Sequence, residues 1–214
     1  MSSLAPAAYR RSMTRVVAIR HGETDWNRNG RMQGWAPVEL NGTGREQARA
    51  VGEWLAAEYD IDRVSASDLL RTRETADLVC ESLGEPPVEY APDWRERDLG
   101  VYQGLTYADI NERFPEFGLG ETAYEAALAV PESGESLRDL AGRVTAKFDR
   151  LLGDDGTVLV VTHGGPLHVL LGYAKGMGLS EALGGHHQAN CGVNEFVAAD
   201  GEVRVVRENV TAWR

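Results

Sequence analysis

Two short apolar runs in this 214-residue chain end the same way, in a histidine followed by glycine: Ile19-Arg20-His21-Gly22 and Val161-Thr162-His163-Gly164. In parallel α/β sheets, ligands settle beyond the carboxyl ends of strands, close to helix N-termini that favour anions. A single histidine at such a point has an ordinary structural explanation. Two in the same topological position, each followed by a glycine that lets a ligand approach the backbone, point to one shared site. Arg20 adds a fork of donors matched to phosphate oxygens. The chemistry suggested is recognition of a phosphoryl group beside two imidazoles.

The elements that must position these residues alternate between strand and helix signals, which predicts an α/β fold. The expected form is a three-layer α/β/α sandwich with a mostly parallel central sheet. Val16 to Ile19, Ile61 to Ser65 and Val158 to Val161 read as strands. Val193 to Ala198 and Val203 to Val206 read as closing strands joined by a hairpin turn at Asp200-Gly201. Thr43 with Glu46 has capping-box spacing ahead of Ala48, Val51 and Leu55. A second helix is expected from about Asp68 to Leu83, stopped by Gly84 and Pro86-Pro87. Leu137, Leu140, Val144, Phe148 and Leu151 give the clearest amphipathic helix, and another starts at Pro166. From about Leu105 to Val130 the pattern is helical but broken by Pro115, Gly118 and Gly120, and it reads as an excursion over the active site. Residues 1–14 read as an N-terminal extension, with Met13 an alternative start, and 15–214 as a single domain.

With 22 Lys+Arg against 33 Asp+Glu, the net charge is −11. That balance argues against nucleic-acid and membrane partners, because both anionic surfaces need a basic face. Only Lys147 and Lys175 are lysines, so arginine carries nearly all the positive charge. Cys80 and Cys191 form no ligand cluster and read as two reduced thiols. No apolar run reaches the roughly 18 residues a membrane span needs. A cytoplasmic protein is expected; the oligomeric state, a dimer included, stays open.

The segment Arg20-His21-Gly22-Glu23-Thr24-Asp25-Trp26-Asn27, with Gly30-Arg31-Met32-Gln33-Gly34, resembles the signature of the histidine phosphatase superfamily, the phosphoglycerate-mutase-like proteins. Ser65 to Ala76 around Arg71 resembles the family's second arginine motif, and Trp94 to Gly104 around Glu96 its acidic motif. Gly134-Glu135-Ser136 followed by Val161 to Gly165 resembles the closing half. The resemblance implies that His21 is the nucleophile, forming a phosphohistidine. Arg20 and Arg71 would keep His21 neutral and, with His163, surround the phosphoryl oxygens. Glu96 would protonate the leaving alkoxide and later deprotonate water, a task that calls for a raised pKa. Thr24, Asn27, Gln33, Gly34, Gly164 and Gly165 would hold or orient a small phosphorylated metabolite. Neither metal nor other cofactor is implied, save 2,3-bisphosphoglycerate if the chain is a mutase.

The usual Asp-x-Pro-Leu after the first motif reads Pro37-Val-Glu39-Leu40, and the arginine usual after the second histidine's glycines is His168. His168 is five residues after His163, a spacing that does not suit a helical metal pair, and is expected on the helix behind the site; His186-His187 could touch substrate but are expected in a surface loop. Trp26 and Trp35 read either as core anchors or as a leaving-group wall. A mutase must grip a second anionic group, yet the excursion holds Asp109, Glu112, Glu116, Glu121 and Glu125 against one base, Arg113. That favours a phosphatase acting on a small, singly phosphorylated substrate, although Arg95 and Arg97 argue for the mutase. A non-catalytic relative binding a phospho-ligand or a protein, and a metal-dependent hydrolase, are the remaining readings. Arg20, Arg71 and Arg95 are expected to reverse the negative sign within the pocket.

Overall fold

A computed structural model describes residues 13–114, 130–184, 187–199 and 201–214. Six strands form one sheet in the order β3-β2-β4-β1-β5-β6. They are β1 (Met13–Arg20), β2 (Arg63–Ala66), β3 (Val88–Tyr90), β4 (Gly156–Thr162), β5 (Val193–Ala199) and β6 (Glu202–Val210). β3, β2, β4 and β1 pair in parallel, while β5 runs antiparallel to both β1 and β6. Only β5 therefore points the other way among the described strands.

The two middle strands carry unbroken apolar stretches, Val16 to Ile19 and Val158 to Val161, because both faces are covered there. Val16, Ala18, Val158 and Val160 point into one core with Leu140, Val144 and Phe148 of a helix (Leu137–Leu152) and Leu167 and Leu171 of another (Gly164–Lys175). Val17, Ile19, Leu159 and Val161 point the opposite way, toward Ala48, Val51 and Leu55 of a helix over Gly42–Glu58 and Val79 of one over Leu70–Leu83. In chain order the helices are α1 (Asp25–Arg28), α2 (Gly42–Glu58), α3 (Leu70–Leu83), α4 (Tyr107–Arg113), α5 (Leu137–Leu152), α6 (Gly164–Lys175) and α7 (Leu179–Gly184). The expected three layers are present.

Several local expectations shift. β1 begins at Met13, inside the expected extension, and β6 runs longer than Val203 to Val206. The cap of α2 is Asn41, whose side chain accepts from Gly44 N at 2.8 Å; Thr43 is an exposed residue of the first turn. Asn41 also donates its backbone N–H to Glu23 O (3.0 Å), which fixes the chain direction before Thr43 is reached. α3 begins at Leu70, two residues beyond Asp68, whose carboxylate pairs with Arg95. Within the span read as an excursion, α4 carries its own capping box, Thr106 with Asp109. Ile110 there packs with Leu99 and Tyr102 in a small third core against Met32. Residues 115–129, including Pro115, Gly118, Gly120, Glu116, Glu121 and Glu125, lie outside the described residues, as do 1–12, His186 and Asp200. Cys80 and Cys191 are both buried free thiols. No described helix is long and apolar enough to cross a membrane.

The α5 layer depends on Phe148, which is fully buried and meets Phe196 of β5 edge-on at 5.4 Å. Phe148→Ala is expected to reduce the free energy of unfolding by about 3–5 kcal/mol. Urea denaturation would show this as a lower midpoint at unchanged slope.

Candidate active site

The register of β1 on β4 pairs Arg20 with Thr162, so the residues that follow, His21 and His163, leave the sheet side by side. His21 N donates to Thr162 O at 2.9 Å, extending the ladder one step, and the two rings lie 5.2 Å apart. A side chain at Gly22 would bring its Cβ to 2.4 Å from Gly44 O, and one at Gly44 to 2.1 Å from Glu23 O. The bare backbone of Gly22 is thus used by the chain itself, where the β1 exit crosses the start of α2. It does not open a ligand path. At the second histidine, a Cβ on Gly165 would meet Glu96 Oε1 at 2.2 Å, so that glycine makes room for a carboxylate.

The hydrogen bonds of His21 fix its tautomer. Nδ1 lies 2.7 Å from Gly22 O, an atom that only accepts, so Nδ1 carries the proton. Nε2 then bears the lone pair, with Arg71 Nε donating toward it at 3.3 Å. Burial, with the Arg71 and Arg20 guanidinium groups beside it, holds the His21 pKa well below 6.5. His163 is held down likewise, by burial first and then by Arg71, His21 and Arg20. Its Nε2 lies 2.9 Å from Ser67 Oγ, and its buried Nδ1 has no hydrogen-bond partner among the described residues.

Arg71, 1% exposed on α3, donates Nη2 to Gly34 O (2.8 Å) and Nη1 to Ala36 O (3.2 Å). Burial depresses even this guanidinium, to about 10. Arg20 donates Nη1 to Gln188 O at 2.6 Å. Glu96 stands on an irregular stretch between the short turns Pro92–Trp94 and Gly100–Tyr102. Its carboxylate accepts from Gly165 N at Oε2 (3.1 Å) and Arg97 N at Oε1 (2.8 Å).

A cleft of about 510 Å³ joins these groups; Arg20, His21, Asn27, Gln33, Gly34, Arg71, Glu96, Gly164 and Gly165 all line it. Two expected site residues sit off its wall. Thr24 is fully buried and caps α1, its hydroxyl hydrogen-bonded to Asn27, so it orients that neighbour. His163 is fully buried next to His21. Arg95 does not line the cleft either: it donates to both oxygens of Asp68 (2.7 and 2.6 Å) and lies over the Trp35 ring. Arg97 and Arg31 line it instead. His168 faces the cleft and not the rear of its helix, and His187 lies exposed in a surface loop, as expected, that also lines the cleft. Trp26 packs near Gly104 and Trp35 donates to Glu96 O at 2.7 Å, so both act as anchors. Among the described lining residues, Glu96 is the sole carboxylate against four arginines. No three described His, Cys, Asp or Glu side chains gather as a metal site.

Three residues that bear on this site escaped sequence reasoning. Gln188 supplies the carbonyl that orients Arg20, and Asn190 donates to His21 O at 3.0 Å. Both lie in the loop before β5, without a motif of their own. Arg143 of α5 donates to backbone carbonyls beneath Glu96, on the polar face of an amphipathic helix where an arginine looks ordinary.

A profile of the histidine phosphatase superfamily (branch 1) matches residues 16–211. Phosphoglycerate mutase-like protein 4 of Arabidopsis thaliana is 37% identical over 190 residues, covering 87% of this chain and 80% of its own. The metal-independent phosphoserine phosphatase of the same plant is 36% identical, over 74% of this chain and 67% of its own. Mycobacterial glucosyl-3-phosphoglycerate phosphatase, solved in complex with VO3, superposes with a TM-score of 0.81 at 29% identity, covering 92% and 99%. Phosphatases and 2,3-bisphosphoglycerate-dependent mutases both occur among the matches.

Because His21 and His163 are held neutral, the unfolded chain binds more protons than the folded one once the pH falls below 6.5. Stability is then expected to fall with pH, by up to about 1.4 kcal/mol per pH unit for each such histidine. Urea denaturation between about pH 7.5 and pH 5 should show a smaller loss in His163→Gln than in the parent.

Proposed function

The chain belongs to branch 1 of the histidine phosphatase superfamily, and we propose that it hydrolyses a small phosphomonoester through a phosphohistidine formed on His21. The observation that carries this reading is the His21 Nε2 lone pair, set in the cleft that Glu96 also lines. In the first step Nε2 attacks phosphorus, the P–O bond to the leaving group breaks, and Glu96 gives that oxygen its proton. In the second, water attacks phosphorus as Glu96 takes its proton; the P–N bond breaks, releasing phosphate and restoring His21. Arg20 and Arg71 are fixed by carbonyls before substrate arrives, so they stabilise the charge on the equatorial oxygens without reorganising. The unsatisfied Nδ1 of His163 supports a contact with the same group. Asn27 and Gln33, with the backbone of Gly34, Gly164 and Gly165, would orient the ester, and Thr24 serves through Asn27.

No step calls for a metal, because guanidinium groups neutralise the phosphoryl charge. The buried thiols suit a reducing compartment such as the cytoplasm. Arg31 and Arg97 on the wall favour a leaving group that carries an anionic group of its own, such as a carboxylate. This also sustains the mutase as second reading. Against it stand the acids of the excursion, Asp109 and Glu112 on α4 among them.

Phosphate release from a panel of monoesters in excess EDTA should persist, and His21→Ala should reduce it at least about 10³-fold. An acid-labile phosphoenzyme should form in the parent and be missing from the variant. With 3-phosphoglycerate, inorganic phosphate is the expected product; interchange with 2-phosphoglycerate that needs bisphosphoglycerate, with little phosphate released, would establish the mutase instead. Arg31→Ala should raise KM for a carboxylate-bearing monoester by about tenfold, the loss of one charge-assisted hydrogen bond, and leave that of an uncharged alkyl phosphate nearly unchanged.

A further inference from the structure

Glu96 has no regular secondary structure to hold it, yet acid–base transfer tolerates little misplacement. What fixes it comes from another layer of the fold. Arg143, part-buried on α5, donates Nη1 to Asp93 O (2.8 Å) and Arg95 O (2.7 Å), and Nη2 to Glu96 O (2.9 Å). Its guanidinium is gripped in turn by both carboxylate oxygens of Glu135, through Nη2 and through Nε (3.2 Å). Glu135 then secures the far side of Glu96: its Oε1 accepts from Asp98 N (3.1 Å) and its carbonyl from Arg97 Nε (2.9 Å). Trp35 Nε1 adds a second donor to Glu96 O at 2.7 Å. The backbone from Asp93 to Asp98 is thus bound on both sides of the one carboxylate that lines the described cleft.

From this geometry we infer that Arg143, locked by Glu135, is a positioning residue for the acid–base carboxylate of Glu96. The inference rests on the acid–base reading of Glu96 given above. Only a planar fork can serve three carbonyls and a bidentate carboxylate at once; lysine offers a point charge with three rotatable donors. Without the fork, the strip of backbone under Glu96 loses three charge-assisted bonds, and the carboxylate drifts from the leaving oxygen. His21, Arg20 and Arg71 belong to other elements and stay in place.

That separation gives a readout which general loss of stability would not mimic. kcat/KM covers phosphoryl transfer to His21 and leaving-group departure. Departure of p-nitrophenolate needs almost no proton, whereas an alkoxide needs one from Glu96. For Arg143→Met, kcat/KM on an alkyl monoester such as 2-glycerophosphate is expected to drop about 10²-fold, while that on p-nitrophenyl phosphate changes less than about threefold. Glu96→Gln should show the same selectivity, and Arg143→Lys a weaker form of it; should Arg143→Met fail to fold, Arg143→Lys carries the test. Equal losses on both esters, or no loss on either, in an Arg143 variant while Glu96→Gln remains selective would overturn the inference alone. If Glu96→Gln is itself unselective, the acid–base reading fails and the inference goes with it.

Discussion

The site is organised around a buried cation held mainly by carbonyl groups, with the Glu96 carboxylate acting on it through space. Arg71 is almost entirely withdrawn from solvent on α3, and its fixed partners are the carbonyls of Gly34 and Ala36 and the lone pair of His21. Removing a guanidinium from water costs several kcal/mol unless its donors are satisfied. Two carbonyl acceptors offset part of that, and the depressed pKa reports the remainder. On the proposed reading, an arriving phosphoryl oxygen supplies a further acceptor. Burial, reinforced by the same charge, holds the His21 pKa well below its ordinary value, so on the proposed reading one buried cation serves both ligand capture and the attacking group.

This local positivity sits inside a chain of net charge −11. The long-range field opposes any anion, and four arginines in the cleft must overcome it at short range, where the lower dielectric strengthens their pull. On the proposed reading the acidic surface acts on approach and the arginines on capture.

How much of this was legible in the sequence follows from what each residue touches. β1 and β4 announced themselves because strands covered on both faces are unbroken apolar runs, and their abrupt ends marked both histidines. β3 has three residues, two of them exposed, and leaves no periodic trace. The cap of α2 falls on Asn41 and not Thr43 because the Asn41 side chain also reaches Glu23 Oε1 at 2.8 Å, a tertiary contact that no local spacing reports. Arg95 and Arg97 flank Glu96 symmetrically in sequence; only the irregular backbone between the two turns decides that Arg97 faces the cleft and Arg95 meets Asp68. His187 and Gln188 reach the site from a loop before β5, a placement that belongs to the tertiary fold. Arg143 was invisible for a different reason: its partners are mostly backbone carbonyls, which every residue has.

The crossing of Gly22 and Gly44 bears on how the Arg-His-Gly signature is to be used. Its glycine is demanded by the passage of the β1 exit over the first turn of α2, with backbone atoms where a methyl group would have to sit. A descendant that lost its substrate, its acid or even its nucleophile would still be under pressure to keep that glycine simply to fold. The third letter of the signature is therefore a record of architecture. Annotation that transfers activity on the motif alone would carry catalysis onto inactive members, and the discriminating evidence has to come from residues without a steric reason to persist, Glu96 and Arg71 before others.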